Sequence, residues 1–93
     1  MEFLTEVTLT VPAETPQERV DQLCRAETVR AAELVAEGHI LRLWRPTTPG
    51  WRNIGLWQAA DEDELRKKMA TLPLHPWMTV TIRQLTPHPN DPQ

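Results

Sequence analysis

An α+β domain with the element order β-α-β-β-α-β is what this sequence predicts, on three observations. Four short runs alternate apolar with polar residues, two longer stretches repeat apolar residues at helical spacing, and the helical stretches fall after the first run and before the last. Under the right-handed crossover rule that order closes as a four-stranded antiparallel sheet with both helices on one face, the ferredoxin-like arrangement. The chain has 93 residues, enough for one such core and too few for two. Residues 1–86 are read as the single domain and residues 87–93 as an extended, proline-rich tail.

Each element has its own warrant. "FLTEVTLTV" sets Phe3, Val7, Leu9 and Val11 against Glu6, Thr8 and Thr10, a half-buried first strand. "TPQE" offers Thr15 as cap, Pro16 at the first helical position and Glu18 three residues after the cap, so a capping box should open the long helix. Gly38, free to adopt the left-handed conformation, should end it. "HILRLWR" alternates His39, Leu41, Leu43 and Arg45 with Ile40, Arg42 and Trp44; "PTTPG" turns the chain, and "WRNIGLWQA" returns as the third strand of a hairpin. Asp61 is placed to cap "EDELRKKMATL", with Leu65, Met69 and Leu72 inward and Glu64 completing a second capping box. "WMTVTIRQL" alternates Met78, Val80 and Ile82 with Thr79, Thr81 and Arg83 as the last strand. With both helices on one face, the other face is left bare. Trp44, Trp51, Trp57 and Trp77 in so small a chain point to its burial against a second subunit, a dimer at least.

Charge and cysteine content exclude several classes of function. Ten Lys and Arg stand against 13 Asp and Glu, a net charge of -3, with no basic block to track phosphates, so nucleic acid is not an expected partner. The single Cys24 has no partner for an internal disulfide and no Cys/His spacing that makes a zinc site, which fits a reducing cytoplasm. "MEFLTEVTLTV" alternates rather than forming an apolar leader, and no run approaches a membrane span.

One residue breaks the helical pattern. In "VDQLCRAETVRAAELVAEG", Val20, Leu23, Ala31, Leu34 and Val35 fall on one stripe, and Glu27 lands near its centre. A carboxylate there either snorkels to the edge or pairs with an arginine in a structural role, or it is desolvated and tuned for proton transfer. Arg45 shares parity with Leu41 and Leu43, so if that parity faces the helix its guanidinium enters the same space as Glu27; otherwise it turns into solvent at the strand end. His39 has the same parity and reads as an edge histidine.

"EVTLTVP", the helix glutamate, "AEGHILRLWR", "GWRN", "LPLHPWM" and the "HP" of the tail occur in an order and spacing that resemble the muconolactone isomerase family over nearly the whole chain. The resemblance implies a ferredoxin-like subunit of the dimeric α+β barrel type, assembled through dimers into a decamer with active sites near subunit contacts. It implies a cofactor-free enzyme of the β-ketoadipate branch of aromatic catabolism, converting muconolactone to 3-oxoadipate enol-lactone. That chemistry needs one positioned base and a donor or cation near the carbonyl oxygen where the dienolate charge gathers. Carried over, Glu27 is the proton-shuttling carboxylate, and Arg45 meets the substrate carboxylate or the dienolate. Asn53 donates to the lactone, His88 reaches a neighbouring subunit, and Trp44 walls a pocket or packs in a core or interface. Cys24 stands where the family often has lysine, on the same helix face as Glu27, and counts among the substrate-binding positions with His39, Trp44, Asn53 and His88. Trp51 and Ile54 replace tyrosines, and "LPLHPWM" replaces "LPLFPYM". A non-catalytic oligomeric scaffold, and a cyclase or monooxygenase-like relative, are the alternative readings of the same frame.

Overall fold

The computed structural model describes residues 1–93. Its elements are β1 (Glu2–Leu9), α1 (Gln17–Ala36), β2 (Ile40–Trp44), β3 (Arg52–Gln58), α2 (Glu62–Met69), a 3₁₀ turn (His75–Trp77) and β4 (Met78–Leu85). The four strands form one antiparallel sheet in the order β2-β3-β1-β4, so the first strand is central and the ferredoxin-like α+β arrangement is confirmed.

Alternation assigns the faces. Phe3, Thr5, Val7 and Leu9 of β1 are all buried, while Glu2 and Glu6 are exposed. Register puts Val7 beside Asn53 of β3 and Val80 of β4, and Phe3 beside Trp57, so those residues share the helix-covered face. Leu34 from α1 and Leu65 and Met69 from α2 close the core from above, with Leu72 and Leu74 of the following turn. Gly55, opposite Thr5 and Leu43, has no room for a side chain. A Cβ there would lie 2.8 Å from the Trp57 indole nitrogen, 2.9 Å from Thr5 Oγ1 and 3.1 Å from Leu43.

The helix ends follow local chemistry, with two corrections. Gly38 has φ 83° and donates to the Val35 carbonyl while His39 donates to Leu34 O, the paired bonds of a Schellman ending. The Thr15 capping box does not form. Pro16 is the cap, its carbonyl receiving the Arg19 and Val20 amides, and the Thr15 hydroxyl instead donates to Pro12 O at 2.6 Å. At α2, Asp61 accepts from the Glu64 amide at 2.8 Å and Glu64 accepts from the Ala60 amide. This helix stops at Met69, before the expected Leu72, because the chain tightens into successive i+3 turns ahead of Pro73.

Two further corrections concern parity. A bulge between Ile40 and Arg42 shifts the register of β2, so Ile40 and Leu43 face the helices while Arg42 and Trp44 face away. On α1, Val35 is 53% exposed and lies outside the buried stripe. The tryptophans also divide differently: Trp57 belongs to the core, Trp77 packs against it, and only Trp44 stands on the bare face with Leu4, Ile54 and Leu56.

Candidate active site

Small residues around a carboxylate make the site. Along α1, Cys24 precedes Glu27 by one turn and Ala31 follows it by one, all turned toward the sheet, and neither neighbour fills the space beside the carboxylate. An outer cleft of about 410 Å³ results, walled by Leu9, Leu43, Trp51, Asn53, Leu74 and Met78. Beside it lies a smaller recess of about 50 Å³, lined mostly by apolar side chains and reaching Ile40, Trp57 and Leu72. Glu27, Leu43 and Asn53 line both. A cleft of this size suits one small molecule.

Glu27 is held at one point. Its Oε1 accepts a hydrogen bond from the Leu74 backbone amide at 2.9 Å, and that is its only hydrogen bond within the protein, leaving Oε2 for solvent or a ligand. Burial pushes the Glu27 carboxyl above its ordinary value of 4.5, and the Leu74 amide, which favours the ionised form, pulls partly against that shift. A carboxylate destabilised by desolvation, yet fixed in direction, is suited to accept and return a proton near neutral pH. Asn53 brings the one side-chain amide to the same surface, a donor for a carbonyl oxygen.

No arginine or lysine lines the recess or the cleft. Arg45 is exposed beyond the end of β2, two residues past Leu43, and makes no ion pair with Glu27. Arg42 stacks over Trp44, 5.0 Å from the ring centroid, on the opposite sheet face. Arg30 is engaged by Glu33, Glu37 and Thr71. Cys24 and Asn53 are thus gathered around Glu27, while the other residues singled out in the sequence lie elsewhere. His39 Nδ1 sits 2.9 Å from Gln58 O where β2 begins. His88 accepts from the Asn90 amide in the tail, past Leu85, at the end of β1 away from Leu9.

Comparison with known proteins decides the lineage. The family model described as Muconolactone delta-isomerase matches residues 1–91. The chain belongs to this family. Its similarity to "Muconolactone Delta-isomerase 2" of Acinetobacter lwoffii is 31% identity over 88 residues, covering 95% of this chain and 91% of that one. Muconolactone Delta-isomerase of Acinetobacter baylyi is 27% identical over 90 residues, 97% and 93% of the two chains. A crystal structure of muconolactone isomerase superposes with a TM-score of 0.89 at 26% identity, covering 100% of this chain and 96% of the other. The 5-chloro-2-hydroxyhydroquinone dehydrochlorinase of Burkholderia phenoliruptrix, at TM-score 0.66 and 14% identity, shares the fold. Isomerase activity therefore attaches to this chain at the level of its family.

Within this muconolactone delta-isomerase family member, sequence reasoning missed the Leu74 amide. A backbone donor carries no side-chain signature; the only trace was the "LPL" segment itself, in which two buried leucines flank a proline.

Proposed function

We propose that the protein is a cofactor-independent isomerase that moves the ring double bond of muconolactone, or of a related unsaturated lactone, by proton transfer. The observation that carries the reading is the Glu27 carboxylate in a cleft built largely of apolar side chains, tied by one oxygen to the Leu74 amide and free at the other. Glu27 takes a proton from the saturated ring carbon γ to the carbonyl, at the far end of the conjugated double bond. The bonding electrons spread to the carbonyl oxygen as a dienolate, and the same proton returns at the carbon next to the carbonyl, so nothing is oxidised or reduced. Asn53 donates to the oxygen where the charge gathers. Arg45, exposed beyond the end of the strand that carries the Leu43 wall and lining neither cavity, is assigned to the substrate carboxylate outside the cleft. Cys24, on the same wall as Glu27, shapes the cleft.

Assembly is part of the proposal. The bare sheet face, centred on Leu4, Ile54, Leu56 and Trp44, pairs with a second copy, and dimers of this kind build the decamer that the family resemblance implies. A cytoplasmic setting suits an unpaired Cys24. No helix of the chain is long and apolar enough to cross a membrane.

The pH dependence of kcat/KM on muconolactone tests the assignment of the base. Protonated Glu27 accepts nothing, so activity should fall on the acid side with an apparent pKa above the ordinary 4.5, the direction in which burial moves this group. A profile flat across that region would assign the base elsewhere.

A further inference from the structure

We propose that Arg30 and Thr71 are positioning residues for Glu27: they clasp the turn after α2 onto α1 and thereby hold the Leu74 amide on the carboxylate. Arg30 Nε donates to Thr71 Oγ1 at 2.9 Å, and that hydroxyl donates in turn to Lys68 O at 2.6 Å, so both of its hydrogen-bonding roles are used. The guanidinium is oriented by its own helix, through Nη1 to Glu33 at 3.0 Å and to Glu37 at 3.3 Å, and Lys68 reaches Glu37 at 3.5 Å. The spacing is matched on the two sides of the gap. Glu27 and Arg30 are three apart on α1, one above the other, and their partners Leu74 and Thr71 are three apart in the turn.

The turn leaves that amide available. Leu72, His75 and Trp77 donate to Met69, Leu72 and Leu74 carbonyls, Pro73 has no N–H, and the Leu74 N–H is directed to Glu27. Burial of the Leu72 and Leu74 side chains sets how deep the turn sits, but apolar burial has no direction. Two hydrogen-bonded ties across one gap supply it. The clasp is ionic on one side only: burial alone would raise the Glu37 carboxyl, yet Arg30 and Lys68 outweigh it and hold that carboxyl low, while burial moves Glu27 the other way. Cys24 of α1 is the only other titratable side chain lining the recess or the cleft; β1, β2, β3 and the turn contribute none.

The catalytic consequence rests on Glu27 being the base, but the clasp is measurable without turnover. Carbon-detected NMR titration of the Glu27 carboxyl in the unliganded protein is the direct readout. Thr71→Val, which keeps the shape and removes the hydroxyl, should raise the Glu27 pKa by about half a unit to one unit as the amide withdraws. Thr71→Ser should restore the wild-type titration, and Arg30→Gln, should Thr71→Val fail to fold, should move it upward in the same direction. An unchanged Glu27 titration in a folded Thr71→Val or Arg30→Gln protein overturns the proposal. If the titration shifts as expected but the wild-type protein isomerises no lactone, the clasp stands and the catalytic reading falls.

Discussion

Glu27→Gln should lower kcat/KM on muconolactone by about 10²- to 10⁴-fold, the range that a positioned general base contributes, while the protein stays folded. The amide keeps the side chain's shape, and its oxygen can still accept from the Leu74 N–H, so the 2.9 Å tie that orients the group survives. What is lost is the ability to take a proton. Stability should move in the direction opposite to a structural ion pair. The folded-state pKa of Glu27 is raised, so between its unfolded and folded values the folded chain binds more protons, and stability falls as pH rises through that window. Ionised Glu27 therefore costs stability at pH 7, and Glu27→Gln should melt at or above the wild-type temperature there, with the advantage fading as pH falls through that window and gone below about pH 4.5. Activity and thermal melts on the same preparations check both halves; a scaffold in which Glu27 were a structural anchor would lose stability instead.

On the proposed pairing of the bare sheet faces, Leu56→Asp should leave the protein monomeric. Leu56 lies beside Leu4 of β1 and Arg42 of β2 on the face that no helix covers, with Ile54 and Trp44 one pair further along. Glu6, Arg52 and Arg83 border the same apolar centre, so a two-fold pairing can set acids against arginines around a dry middle. Taking a carboxylate out of water there, even beside Arg42, costs several kcal/mol, a weakening of association on the order of a hundredfold. Sedimentation equilibrium across a dilution series reads this directly. An unchanged mass would place the subunit contact on another surface.

How far these features were legible in the sequence depended on the kind of signal. Alternation in β1 and β4 and the glycine after α1 are local, and each led to the observed element. Glu27 stood out because a carboxylate interrupting an apolar stripe is a chemical mismatch within a few residues. The path of Arg45 was not legible, since parity carries a side chain only as far as the strand runs, and β2 ends at Trp44, one residue short of Arg45; the bulge between Ile40 and Arg42, which depends on pairing with β3, instead put Ile40 on the helix side. Trp57 was counted toward the bare face as one of four tryptophans, whereas its register with Phe3 puts it in the core. Thr15 had the right letter for a cap, but its hydroxyl found the Pro12 carbonyl first. The Leu74 amide and the clasp through Arg30 and Thr71 join residues 47 and 41 positions apart, and such contacts appear only once the chain is folded.

The most direct test of Glu27 as the proton carrier is muconolactone turnover in heavy water, followed by NMR for both substrate loss and deuterium incorporation. Wild-type protein should convert the lactone, with deuterium entering next to the carbonyl whenever the carboxyl exchanges its proton before returning it, and Glu27→Gln should slow conversion and exchange together by about 10²- to 10⁴-fold. Conversion by the Glu27→Gln protein at the wild-type rate would contradict the account.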